Sequence, residues 1–305
     1  MNPGQSGFRQ KRICTEWCET LSSFISLRRF GRDKQPSGEM GFAQGEEEMS
    51  IESFQDAKWQ DFIKDCKKQV ENDNNDKELN INSVFLPNPE ICHKPEYCLI
   101  AMEPRDSNLA ILEDNINGGY KNFIEGYEEL IIHYCAYHYL GKPGFNYYIT
   151  DLIKGSMTSD DAERSREILR PRWHPLLEKE MDLLGNPIRI AVGVGVYDYM
   201  NGTTLKAKDY ILHYSDANRG SRTSEYNHLN KVAPPLLDSE IDEKKIREFV
   251  SDFIRHLGYR RHDKVTRILG EGVRLSEARK KYIYALYRHN FESLTKNGKI
   301  VHSQR

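Results

Sequence analysis

Apolar positions along the chain come in two patterns, short continuous runs and stretches at helical spacing. Phe54, Trp59, Phe62, Ile63 and Cys66 recur at roughly one helical turn and predict a helix from Ser50 to Val70, after which Glu71-Asn72-Asp73-Asn74-Asn75-Asp76 breaks the period and reads as a polar loop. Four apolar runs read as buried strands: Tyr97–Met102, Asn146–Thr150, Ile188–Gly193 and Tyr210–His213. Between them, Tyr120–Leu140 and Pro175–Leu184 carry the helical period. Beyond Asp238 the pattern stays helical, near Glu240–Leu257 and Leu275–Leu294. Strands separated by helices of this length imply a parallel sheet covered on both faces, with ligands bound beyond the carboxyl ends of its strands.

The 305 residues accommodate two average domains or one α/β domain with terminal extensions, and the single alternation of strands and helices is read as the second. Residues 1–49, rich in Gly, Ser, Gln and charge, are expected to be disordered; 50–83 form a helical extension and polar loop, 84–235 the α/β domain, and 236–305 a basic helical extension. No apolar run approaches the roughly 18 residues that span a bilayer, which excludes a membrane protein. Met1–Asp33 lacks the apolar core of a secretion signal, and six cysteines are too sparse for a disulfide scaffold. The expected setting is therefore reducing, cytoplasmic or nuclear, with free thiols. The net charge of −2 hides an asymmetry, because residues 258–305 hold twelve Lys/Arg against four acids, a balance suited to a polyanionic partner or to a solvated helical face.

Polar residues gather where the strands end: Glu103-Pro104-Arg105-Asp106 after the first, Asp151 after the second, His213-Tyr214-Ser215 after the fourth. The ordered set Ala101-Met102-Glu103-Pro104-Arg105, Tyr148-Ile149-Thr150-Asp151, Ile190-Ala191-Val192-Gly193 and His213-Tyr214-Ser215 resembles the motifs of the uracil-DNA glycosylase superfamily over about 140 residues. The resemblance implies a three-layer α/β/α sandwich with a central four-stranded parallel sheet, to which the helical N- and C-terminal extensions are added. It also implies hydrolysis of the N-glycosidic bond of a flipped nucleotide in DNA.

Under this resemblance Glu103 takes the place of the acid that sets a water against the sugar and stabilises an oxocarbenium-like state, although Asp or Asn is common there and Glu is longer by a methylene. His213 takes the place of the histidine that donates to the base O2 as charge builds on the leaving group. Ser215 matches a phosphate-holding residue, but Tyr214 and Asp216 replace its flanking prolines. Asp151 stands where uracil-removing members carry a base-reading Asn. An ionised Asp only accepts hydrogen bonds and so complements the N4 amino group of cytosine, unless Asp151 merely caps the following helix. Arg105 replaces the aromatic wall that excludes C5 substituents, which admits hydroxymethylated or glucosylated cytosine. Tyr120 or Phe123 would stack on the base, and Arg219 or Arg222 would fill the gap in the duplex or clamp phosphates.

Ala278–Arg288 interleaves cations and aromatics, so Arg279, Lys280 and Lys281 are candidate phosphate contacts, unless the tyrosines pack on the core. His133 and His138 lie five apart on a helix and do not share a face, and the cysteines lack Cys-x-x-Cys pairs; no metal and no cofactor is expected. Lys154 is the nearest lysine to the motifs, and none suggests a Schiff base. The expectation is a metal-independent, monofunctional and monomeric DNA glycosylase releasing a cytosine-type base, in repair or in defence against modified foreign DNA. A uracil or hypoxanthine repair glycosylase, a DNA-binding protein of the same fold without chemistry, and a hydrolase of free nucleotides are the alternatives.

Overall fold

The computed structural model describes residues 57–76, 79, 81, 83–84, 94–104, 127–213, 241–256 and 277–296, all within one compact unit, Ser50–Arg305. Its centre is a four-stranded parallel sheet of β2 (Tyr97–Ala101), β3 (Tyr147–Asp151), β5 (Ile188–Val192) and β6 (Asp209–Ile211), in the order β3-β2-β5-β6. A two-residue antiparallel ladder pairs β1 (Ser83–Val84) with β4 (Gly155–Ser156). The helices are α1 (Ala57–Asn74), α2 (Tyr127–Tyr139), α3 (Ser159–Leu183), α4 (Val194–Asn201), α5 (Glu243–His256) and α6 (Glu277–Lys296).

Side chains alternate across a strand, so β2 sends Tyr97, Leu99 and Ala101 to one layer and Cys98 and Ile100 to the other. The first layer is built by α2, α5 and α6, through residues such as Leu130, Phe249, Phe253, Tyr287 and Phe291. The second is built by α1, α3 and α4, through Phe62, Cys66, Leu169, Trp173, Leu177 and Met200. Both faces of β2 are thus covered, which is why it reads as an unbroken apolar run. The sandwich expected from the sequence is the fold observed, and the helices expected as terminal extensions pack as parts of its two outer layers.

Two boundaries differ instructively. The helix expected to begin at Pro175 begins sixteen residues earlier, at Ser159, with Thr158 as its N-cap, and runs for 25 residues through Pro171 and Pro175. An internal proline costs about 3 kcal/mol; both lie on the exposed side, while Leu169, Trp173, Leu177 and Met181 line the buried side at helical spacing and offset that cost. The loop expected from Glu71 starts only after Asn74, because the polar residues there are bonded. Asp73 accepts from Trp173 Nε1 at 2.9 Å and Gln69 Nε2 at 2.9 Å, and the Asn74 amide bridges both backbone groups of Ile81 at 2.8 and 2.9 Å.

The aromatic and basic helix α6 also differs from a DNA-facing reading. Tyr282, Tyr284 and Tyr287 are buried, and Lys280 is only 8% exposed, with Nζ 3.3 Å from Glu243 Oε1 and over the Tyr127 ring. Lys280 is therefore spent on joining α6 to α5 and is withdrawn from the phosphate-contact set. Arg288 likewise pairs with Glu292 at 2.9 Å and covers the Tyr139 ring, and Lys281 is half-buried. The expected disorder of residues 1–49 lies outside the described residues.

Candidate functional site

The four parallel strands end in step. Ala101 is level with Asp151, Ile100 with Ala191, and Val192 with Ile211. Backbone bonds carry the alignment past the strand ends, from Leu152 N to Ala101 O at 2.8 Å, Ile153 N to Met102 O at 2.9 Å and Gly193 N to Ile211 O at 2.8 Å. From β2 the chain moves outward to β3, then crosses to β5 and β6 on the other side. The reversal falls between β2 and β5, where an open parallel sheet leaves its ligand crevice. Glu103 follows β2 and Gly193 follows β5, so both stand at that switch point, with Asp151 one strand to one side and His213 one strand to the other.

Gly193 is needed here for its backbone: φ of +100° is a conformation that L side chains rarely adopt. A Cβ on Gly193 would lie 3.6 Å from the His213 Cβ, so His213 lies against the end of β5. At the start of α4, a Cβ on Gly195 would lie 3.7 Å from Met102 Cε, which places the Met102 methyl across the same gap. His213 is half-buried.

Glu103 is held by a residue from the opposite layer. Arg166, on the third turn of α3, places Nε 3.1 Å from Glu103 Oε1 and 2.9 Å from Oε2, with Nη2 at 2.5 Å from Oε1. The Glu103 side chain is 8% exposed and that of Arg166 37%, so the arginine closes the solvent side of the carboxylate. The pairing raises the Arg166 pKa through its hydrogen bonds to Glu103, against the opposing effect of burial.

Asp151 is supported from beneath. Its backbone oxygen accepts from Lys154 Nζ at 2.7 Å, and the same ammonium lies 2.7 Å from Glu180 Oε2. Glu180 is completely buried and also accepts from Tyr148 OH at 2.9 Å and Thr150 Oγ1 at 3.0 Å. Burial opposes the charge on Lys154, but the adjacent Glu180 carboxylate and lesser contributions, Asp151 among them, leave its pKa above the usual lysine value. Lys154 is therefore an ammonium and a strut, with no lone pair to attack a sugar. The N-cap of α3 is Thr158, whose Oγ1 accepts from Asp161 N, so Asp151 is not the cap of the helix that follows it.

Cys66, Cys98 and Cys135 are free and buried; burial pushes the Cys66 thiol up to about 12 and raises the other two, which removes them as nucleophiles at neutral pH. His133 bonds the Tyr147 hydroxyl inside the core at 2.9 Å. Among the described residues, no group of three or more His, Cys, Asp or Glu side chains is arranged to hold a metal ion.

The structure thus brings Glu103, Asp151 and His213 to one edge and adds Arg166, Lys154 and Glu180. Arg105, Tyr120, Ser215, Arg219 and Arg222, and the side chain of Arg279, lie outside the described residues. The sequence signal for Glu180 is its place on the apolar line Leu169, Trp173, Leu177, which faces the core. Arg166 carries no such signal, since its partner is 63 residues away. No helix among the described residues is long and apolar enough to cross a membrane. No protein-family model matches the chain, and no curated protein matches it either.

Proposed function

We propose that the chain is a monofunctional DNA glycosylase that hydrolyses the N-glycosidic bond of a flipped cytosine-type base, with C5-modified cytosine as the form best suited to Arg105. One observation supports the reading: Glu103, Asp151 and His213, which the ordered set of motifs singles out together, lie at the carboxyl ends of three different strands of one parallel sheet and flank its switch point. Strands are about 4.8 Å apart, so Asp151 and His213, three spacings apart, stand roughly 14 Å from each other before their side chains reach inward. Glu103 follows β2, one of the two strands between them.

In the proposed reaction the C1′–N bond breaks with its electron pair moving to the base. His213 donates a hydrogen bond to the base O2 as charge develops, and the Glu103 carboxylate stabilises the cationic sugar and orients the water whose oxygen bonds to C1′, the proton that this water loses ending on the departing base. A cytosine anion is a poorer leaving group than a uracil anion, which places a heavier demand on His213. Asp151 accepts from the N4 amino group. Lys154, protonated and tied to Glu180, supplies no amine for a Schiff base, which supports hydrolysis without strand cleavage.

The test is mass-spectrometric detection of bases released from duplexes containing uracil, hypoxanthine, cytosine, hydroxymethylcytosine or glucosylated hydroxymethylcytosine. Release of a cytosine-type base, abolished by Glu103→Ala and by His213→Ala, is the expected result. Release of uracil alone refutes the base assignment, and binding of DNA without release of any base refutes the activity.

A further inference from the structure

We infer that Arg166 is a positioning residue for Glu103, fixing the orientation in which its carboxylate meets the attacking water; the inference rests on the glycosylase reading. A carboxylate has about four lone-pair sites, two on each oxygen. Arg166 meets them with two N–H groups, Nη2 toward Oε1 and Nε shared between Oε2 at 2.9 Å and Oε1 at 3.1 Å. Each oxygen keeps capacity to accept from water. The carboxylate is therefore held in one orientation by a planar fork.

Arg166 sits within α3, whose buried side is anchored by Leu169 and Trp173, and Glu103 lies two residues beyond β2. A glutamate is longer by a methylene than the aspartate common at this place and has one more torsion to restrain. The guanidinium supplies that restraint while offsetting part of the carboxylate charge. A lysine would keep the countercharge and lose the fork, so the two effects separate by substitution.

The experiment compares wild type, Arg166→Gln and Arg166→Lys on the duplex from which wild type releases a base, measuring DNA affinity and the single-turnover rate with enzyme saturating. The expected result is a rate lowered about tenfold to a hundredfold in Arg166→Gln, as for a misplaced reacting group, with affinity within about twofold of wild type and part of the rate recovered in Arg166→Lys. Wild-type rates in both variants overturn the inference. So does a loss of affinity with a salt slope smaller by about one and an unchanged rate, which marks a phosphate contact. If Arg166→Gln fails to fold, Arg166→Lys decides: a rate at least about threefold below wild type supports the fork, and a wild-type rate refutes it. A wild type that releases no base from any duplex refutes the glycosylase reading itself and the inference with it, whereas an active wild type with indifferent variants refutes the inference alone.

Discussion

Replacing Glu180 by Gln leaves the Lys154 ammonium buried with one remaining oxygen partner, the Asp151 carbonyl. At 2.7 Å the lost attraction is roughly 6 kcal/mol for an effective dielectric of about 20. The Asp151 contact and local relaxation return part of it, which agrees with the about 3–5 kcal/mol typical of one-sided removal from a buried pair. For a unit of this size each kcal/mol moves Tm by about 2–4 °C, so a fall of about 6–20 °C is expected. The amide can still accept from Tyr148 and Thr150, which isolates the charge effect. The double variant Lys154→Met/Glu180→Gln removes the stranded charge and should recover at least half of the loss. Pairing raises the folded-state Lys154 pKa above its ordinary 10.5, so the contribution of the pair is whole below pH 10.5 and disappears as pH climbs through the higher folded value. Urea unfolding followed by circular dichroism at several pH values, with midpoint and slope compared, gives the free energies, and thermal unfolding of the same variants gives the Tm shift. A Glu180→Gln loss under about 1 kcal/mol, or a double variant as unstable as the two single losses added, would refute the reasoning.

Gly193→Ala should lose about 1–3 kcal/mol from its φ of +100° alone, because the 3.6 Å approach to His213 Cβ is ordinary contact; an unchanged urea midpoint would contradict this. Lys280→Gln should lower stability and leave both DNA affinity and its salt slope untouched, since Nζ is engaged by Glu243; a slope smaller by about one would restore Lys280 to the DNA surface. Asp151→Asn gains an amide donor for O4 while its backbone stays on Lys154, so release should shift from cytosine-type bases toward uracil by at least about tenfold, the scale of one good bidentate contact. An unchanged base preference in the mass-spectrometric panel would show that Asp151 does not read the base.

The sheet was legible because its information is local. Tyr97-Cys98-Leu99-Ile100-Ala101 and Ile188-Arg189-Ile190-Ala191-Val192 carry buried strands in their composition, and polar residues mark where the strands stop. Helix α3 was half legible, because a proline at position 175 signals a start when read alone. Only the buried line of Leu169 and Trp173, set by the sheet beneath it, shows why the helix passes through. The ion pairs were not legible. Arg166 and Glu103 are 63 residues apart in sequence, and no periodicity relates a residue on α3 to a loop after β2. Glu180 falls on the core-facing line of α3, but nothing local shows that Lys154 is its partner. The same ambiguity of charge accounts for Lys280, which the sequence offers as a phosphate contact and the packing of α6 on α5 makes internal. Charged residues can serve solvent, ligand or fold with equal local plausibility, so their assignment waits on tertiary partners. The motif acids and histidine share one edge because the carboxyl ends of parallel strands lie along it whatever the intervening chain does. Position at a strand end therefore places Glu103, Asp151 and His213, and the partners added by α3 and by the turn after β3 set how firmly Glu103 and Asp151 are held.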